Sequence, residues 1–514
     1  MRIRTLLPAL FLAAGLAAQT APSDSLFNTD QVVNVELYFG DIDFWSTLTQ
    51  YYENDLGETL TGDVIITDQT GTRTYFDVAV DLKGNSSYSH PGNKKSFKID
   101  FNDNISGQKY HGMTKIHLNN CFKDPTFMRE KIYFDFCRAQ GVLAPRVCFA
   151  NVSINGTFWG FYNLVEPVDG NFLDRWADDN NGNLFKAGDN FGAGGPGGGM
   201  TPADLHYYGP DQSSYTSRYE LKTNESEDDW SDLIELLEEL NNSSDQVLAA
   251  QFPSKWEWRP MLRSLALDNI FSNLDSYINS ARNYYIYHDS TTFKWNWIKW
   301  DANEAFGSYG GPGVGNLLNL APNYALASRP LMTKVMNVPS FYNDYLVEYC
   351  AVLEAFTNDG MDPHIDAIKT LIEAHVAADG NKQFSTSQFA TNVESDISTG
   401  GGPGGGTVYG LKSFISSRSN YLSGALDCAS VGLVEVGHGS SSMTVSPNPT
   451  HGSLTVQSTN GLAVSRIEVS DLQGRLILAV QNTSQVDLSF CPSGVYFVRS
   501  HQGGQVVVTR VEKI

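Results

Sequence analysis

The feature that constrains this chain most is that its hydrophobic repeat changes twice. Up to about residue 170, apolar residues alternate in short runs such as YFDVAVDLKG, KKSFKIDF, CFANVSING and FWGFYNLVEPV, the two-residue period of half-buried strands. Between about residues 230 and 376 the period lengthens to that of amphipathic helices, in WSDLIELLEELNN, Trp256 to Leu274, Pro339 to Phe356 and Ile365 to Val376. From Met443 onward short alternating runs return at regular spacing, as in GSLTVQS, SRIEVSDLQGRLILAV and GVYFVRS. Strands with one helix after Asp124, then helices, then strands again predict an α+β body with a small sheet-rich lobe and a larger helical lobe, followed by a small C-terminal β-sandwich. A cleft between the lobes is the default place for a site. At 514 residues, 41% hydrophobic and 12% aromatic, the chain can fill several cores. The expected boundaries are residues 1–18 for a signal peptide, 30–425 for the body, 426–442 for a linker and 443–514 for the sandwich.

The signal peptide is read from Arg2 and Arg4, which precede the apolar run LLPALFLAAGLAA and its closing small residues. Export is therefore expected. No later stretch approaches the ~20 apolar residues that span a bilayer, so no transmembrane segment is expected. A net charge of 35 − 57 = −22, with no local basic patch, disfavours nucleic acid and anionic lipid as partners. Six cysteines lack CxxC spacing and could oxidise outside the cell, but the sequence does not assign pairs. Cys491 stands alone in the C-terminal unit. Three glycine-rich stretches (191–199, 309–315 and 399–410) lack the spacing of phosphate-cradling motifs and read as loops.

Two constellations suggest chemistry. If KKSFKIDF is a strand, Lys95 shares a face with Phe97, Ile99 and Phe101, and an inward ammonium needs a partner. Asp124 and Pro125 have the residue types of a helix start, and on that helix Glu130 falls in the stripe of Phe127, Phe134 and Cys137. Lys95 and Glu130 are expected to pair, either as a plain buried salt bridge or as part of a site. Further on, a helix carrying Leu267, Ile270, Phe271, Leu274 and Ile278 ends near Asp275; Asn283, a two-strand hairpin and Asp301 follow. Asp, Asn, hairpin, Asp is an order that phosphoryl transfer uses: one carboxylate accepts the nucleophile's proton, while the Asn and the second Asp hold Mg²⁺. A carboxylate pair for glycoside hydrolysis would explain Asp275 and Asp301 but leave Lys95 and Glu130 without a task.

KGNSS (83–87), KKSFKIDF (94–101), LNNCFKDPTFMREKI (118–132), VSINGTFWGFYNLVEPVDGNFL (152–173), NGNLFKA (181–187), NLDSYINSARNYYIY (273–287) and IKWDANEAFG (298–307) together resemble the spore-coat-protein-H (CotH) kinase family across roughly residues 30 to 425. The resemblance implies a divergent, two-lobed protein-kinase-like fold that binds ATP and Mg²⁺ and phosphorylates Ser or Thr of a protein substrate. By that likeness Lys95 would hold the α/β-phosphates, oriented by Glu130. Asp275 would be the catalytic base, and Asn283 and Asp301 the metal ligands. Glu166 would lie at the adenine-binding connector, and Asn85, Ser86 and Ser87 would offer backbone N–H groups to phosphate. Two departures stand out: Asp275 and Asn283 are eight residues apart where kinases use Asp-x-x-x-x-Asn, and the family's WDxDxxF reads WDANEAF, with Asn303 in place of an acid. An adhesin or envelope protein of the same fold without turnover is the alternative. The last 72 or so residues resemble the type A C-terminal sorting domain of the type IX secretion system, through SPNPTHG, DLQGR, DLS, GVYFV and the final VEKI. That implies engagement of the type IX machinery, passage through the periplasm, and a secreted or cell-surface product in a Bacteroidetes-type cell.

Overall fold

Closure of a sheet organises the first half of the body. In the computed structural model, strands β1 (Val32–Tyr38), β2 (Leu60–Asp68), β3 (Gly71–Lys83), β4 (Ser96–Asp100), β5 (Lys115–Asn119), β6 (Val147–Ile154) and β7 (Thr157–Val165) form a barrel in the order β1-β2-β3-β4-β5-β7-β6. Neighbours are antiparallel except β6, which closes on β1 in parallel, with Val35 opposite Val152. Alternation drives the closure: Val33, Val35 and Leu37 are buried while Asn34 and Tyr38 are exposed. The interior holds Val80, Leu82, Phe97, Ile99, Ile116, Leu118, Tyr162 and Leu164 among others. The sheet-rich lobe of the sequence reading is thus a closed barrel.

The structure describes residues 22–28, 30–177, 179–188, 201–310, 314–399, 406–431, 443–458, 464–471, 476–502 and 505–514. The expected signal peptide, most of the linker and much of the glycine-rich stretches lie outside these residues. The chain divides into two units at Val431/Gly432.

A second sheet, β8 (Asn183–Ala187), β9 (Tyr219–Leu221), β10 (Tyr284–His288) and β11 (Trp295–Lys299), runs in the order β11-β10-β8-β9 and shares a core with the helices. Of the helices, α1 (Asp24–Phe27) and α2 (Phe44–Glu53) pack on the barrel core; those of the second core are α3 (Arg129–Ala139), α4 (Gly170–Trp176), α5 (Ser231–Asn242), α6 (Asp245–Gln251), α7 (Trp258–Ile270), α8 (Pro330–Asn337), α9 (Pro339–Ala355), α10 (Asn358–Ala378), α11 (Thr386–Glu394) and α12 (Leu411–Ala425), with a small ladder of β12 (Ile397–Ser398) and β13 (Thr407–Val408) before the last. Two helix boundaries differ from expectation. The helix expected at Asp124 begins at Arg129, because Phe127 takes a left-handed backbone (φ +60°) that breaks any earlier turn. Asp124 still serves as a cap at a distance: its carboxylate accepts from Thr126 N (2.8 Å) and from Arg129 N (2.9 Å). Likewise α7 stops at Ile270, and Ser272 (φ +46°) turns the chain so that Asp275 sits in a loop rather than on the helix end. Cys350 on α9 is bridged to Cys428, while Cys121, Cys137, Cys148 and Cys491 are buried free thiols.

The C-terminal unit has one sheet of β14 (Met443–Ser446), β15 (Ser453–Ser458) and β18 (Gln485–Asp487), and another of β16 (Arg466–Ser470), β17 (Leu476–Gln481), β19 (Gly494–Gln502) and β20 (Gln505–Lys513) in the order β17-β16-β19-β20. Leu454, Val456, Ile467, Val469, Leu488, Val498 and Val511 give it a core of its own. Among the described residues no helix is long and apolar enough to cross a membrane.

Candidate functional site

The outer face of the barrel forms one wall of a cavity of about 330 Å³. Strand register explains the wall. Asp81 lies opposite Lys98, Lys98 opposite His117, and Asn119 opposite Asn163, so these polar residues from β3, β4, β5 and β7 stand side by side while Leu82, Phe97 and Leu118 point into the barrel. The turn after β3 adds Asn85, Ser86 and Ser87, and α3 adds Glu130.

The opposite wall comes from the helical lobe and contains Asp275, Arg282, Asn283, Trp300 and Asp301. Asn283 (φ +61°) and Asp301 (φ +47°) both hold left-handed backbone, which Asn and Asp adopt more readily than most residues. The eight-residue spacing of Asp275 and Asn283 is absorbed by a loop that folds back on itself: the Asn283 amide donates to the Asp275 backbone carbonyl (2.7 Å) and carboxylate (3.1 Å). Burial holds the Asp275 carboxyl above the usual carboxylate range, against the pull of Arg282, whose Nε lies 3.5 Å away. Burial likewise raises the pKa of Glu130, opposed by the Asn119 amide and Lys83. Asn303, in place of the family acid, donates its amide to the carbonyl of Phe122 (3.1 Å), a bond that an ionised Asp could not make. The neighbouring Glu304 takes Lys123 at 2.9 Å, so both residues tie the 122–124 loop to this wall.

Seven of the nine residues singled out in the sequence therefore line one cavity: Asn85, Ser86, Ser87, Glu130, Asp275, Asn283 and Asp301. The expected pairing of Lys95 with Glu130 is not formed. Regular β4 begins at Ser96, so Lys95 falls outside its alternation. Its ammonium donates to the carbonyls of Tyr88 (2.6 Å) and His90 (2.7 Å) and stands over the Tyr88 ring. The inward ammonium of this segment is Lys94. It meets Asp379 at 2.7 Å with both side chains fully buried, a partner 285 residues away. Glu166 also stays off the cavity wall. Its buried carboxylate takes the backbone N–H (3.1 Å) and Nε (2.9 Å) of Arg146, which continues to Asp24. The sequence reading missed Lys83, Lys98, Asn119, Asn163, Lys186 and Arg282, all lining residues. Lys83 and Lys98 were within reach, since they occupy the polar phase of strands whose apolar phase was recognised.

A nucleotide with Mg²⁺ suits this lining. Asp81 Oδ1, His117 Nδ1, Asn163 Oδ1 and Asp275 Oδ1 are buried without hydrogen-bond partners, which a polar ligand would supply. Lys83, Lys98, Lys186 and Arg282 offer positive charge and Asp301 a carboxylate. No group of three or more His, Cys, Asp or Glu side chains poised for a metal occurs among the described residues. Asn283 and Asp301 would hold Mg²⁺ only together with phosphate oxygens, which is the ordinary habit of that ion.

A mixed α/β body with a polar cavity against a barrel, joined to a separately cored β-sandwich, defines a two-unit protein whose candidate site lies in the first unit. Comparison with known families specifies it further. The CotH kinase protein family matches residues 80–422, more than half of the chain, and the chain belongs to that family. The secretion system C-terminal sorting domain matches residues 444–513 and marks the chain for secretion and the cell surface. Among similar proteins, inner spore coat protein H of Bacillus subtilis is 26% identical over 351 residues, covering 67% of this chain and 86% of that protein. Invasin CotH2 of Rhizopus delemar is 21% identical over 387 residues (71% of this chain, 62% of the invasin), and invasin CotH3 of the same organism 21% over 327 residues (59% and 52%).

Proposed function

We propose that this is a secreted, kinase-like phosphotransferase that uses ATP and Mg²⁺ to phosphorylate Ser or Thr hydroxyls of a protein partner. The observation that carries the reading is the convergence of Asp275, Asn283 and Asp301 on a cavity whose other wall holds Glu130 and the 85–87 turn. Bound there, ATP with Mg²⁺ would supply the transferable phosphoryl group. Asp275, with a buried carboxylate oxygen that has Arg282 at 3.5 Å but no hydrogen-bond partner, and a raised pKa, accepts the proton of the acceptor hydroxyl. Asn283 fixes the orientation of that carboxylate, and Asp301 with Asn283 would hold Mg²⁺. The backbone N–H groups of Asn85, Ser86 and Ser87, in a turn that lines the cavity, would donate to phosphate.

The second reading is an adhesin or envelope protein of the same fold without turnover. It is favoured by the two relatives named invasins, although this chain spans only 62% and 52% of their lengths. Calorimetric titration of the purified chain with ATP and Mg²⁺, followed by a phosphoryl-transfer assay on surface proteins, separates the two. Saturable Mg²⁺-dependent binding with transfer supports the first, whereas no nucleotide binding leaves the second.

A further inference from the structure

We propose that Lys83, oriented through Asn119 by the buried Glu130, is the cation that grips the phosphate chain of the ligand, and that Lys95 makes no direct contact with it. The inference rests on the phosphotransferase reading and replaces one of the roles that sequence resemblance implies.

Lys83 ends β3 and shares its phase with Asp81, on the outer, cavity side of the barrel. Its ammonium donates to Asn119 Oδ1 at 2.8 Å, and Asn119 Nδ2 donates to both carboxylate oxygens of Glu130 at 3.1 Å. The two ends of the amide fix each other's assignment. An oxygen must face the ammonium and an NH₂ must face the carboxylate, so Asn119 cannot flip without losing all three bonds. Glu130 is 2% exposed, and an ionised carboxylate in that position needs compensation. Asn119 supplies hydrogen bonds, and Lys83 is the one positive charge among the chief influences on its titration.

The amide spacer matters chemically. In direct contact, Glu130 would neutralise the ammonium that has to meet phosphate. Through Asn119 it fixes the side chain's direction while leaving the positive charge facing the cavity. The ring of Trp300, 5.5 Å from Nζ, borders the ammonium on the far wall. Lys95, by contrast, spends its hydrogen bonds on the carbonyls of Tyr88 and His90, where it staples the 86–90 turn, and it does not line the cavity.

The test is calorimetry on the full chain with three probes, each with Mg²⁺: ATP, inorganic tripolyphosphate and adenosine. Lys83→Ala should weaken ATP and tripolyphosphate by about 10²-fold, the size expected for loss of a charge-assisted contact, and leave adenosine unchanged. Lys83→Arg should recover most of that loss. Asn119→Leu keeps the ammonium but frees it, and should weaken the two phosphate-bearing probes by about tenfold without altering adenosine. Lys95→Ala loosens the 86–90 turn but removes no cation from the cavity, so it should weaken ATP and tripolyphosphate by less than about tenfold and leave adenosine unchanged. A general structural defect would move adenosine as well, so the split between probes identifies the role. If Lys83→Ala does not fold, Asn119→Leu and Lys95→Ala decide. The inference alone is overturned if the parent binds ATP and tripolyphosphate but the Lys83 and Asn119 variants match it, or if Lys95→Ala is the variant that loses both. A parent that binds neither ATP nor tripolyphosphate overturns the phosphotransferase reading, and the inference with it.

Discussion

Asn283 closes a loop onto Asp275, giving its amide to the backbone carbonyl at 2.7 Å and to the carboxylate at 3.1 Å. Two residues eight apart in sequence thereby act as one unit, and Asp301 reaches the same cavity from the end of β11. Residues eight apart, where kinases use Asp-x-x-x-x-Asn, are thus in hydrogen-bond contact.

The unit predicts a division of labour. Asp301→Ala should abolish Mg²⁺-dependent ATP binding, because on the proposed reading it removes a metal ligand. Asp275→Asn should still bind ATP, while phosphoryl transfer falls by ~10²-fold or more for want of a proton acceptor. Calorimetry and a single-turnover transfer assay on the same preparations check both; equal nucleotide affinity in the parent and the Asp301 variant would remove Asp301 from the site.

Glu130 should trade stability for binding. Its folded-state pKa lies above its unfolded value, so the ionised form costs stability at neutral pH, and that cost fades as pH falls through the folded value toward the unfolded one. Glu130→Gln should therefore raise the urea midpoint at pH 7 and flatten this part of the pH dependence, while ATP affinity drops about tenfold as the orienting charge is lost. Urea melts at pH 5 and pH 7 beside ATP titrations are the check, and a lowered midpoint at pH 7 would contradict it.

The Cys350–Cys428 bridge spans 78 residues of chain and fastens the segment after α12 to α9. Replacing both cysteines by Ser should lower stability by about 2–4 kcal/mol through the unfolded chain's regained freedom. Denaturant titrations of the variant and the parent should give that difference, and reducing agent should shift only the parent.

The C-terminal unit has its own sheets and its own core. Deleting residues 443–514 should leave the body with an unchanged far-UV circular dichroism spectrum and melting temperature. In a host with type IX machinery the truncated chain should accumulate in the periplasm. Surface proteolysis of intact cells reports the outcome, and normal surface delivery of the truncated chain would contradict the sorting role.

Local pattern in the sequence carried much of this. The two-residue period of β3 and β4, the helical period of α5 and α9, and the return of short strands after Met443 each depend only on neighbours a few residues apart, and each appears in the structure as read. The order of Asp275, Asn283, hairpin and Asp301 is likewise legible along the chain. Partner choice was different, because it depends on which distant elements close around a residue. KKSFKIDF does bury an ammonium that needs a carboxylate, but that ammonium is Lys94 and the carboxylate is Asp379, 285 residues away at the end of α10. KKSFKIDF reads as a strand from Lys94, whereas the pairing of Lys83 with Ser96 starts β4 two residues later and leaves Lys95 to bond the turn. Register across β3, β4, β5 and β7 then places Lys83, Lys98, Asn119 and Asn163 on one wall. Alternation fixes which face a side chain takes within its own strand, but only closure of the barrel and packing of the helices decide what stands opposite.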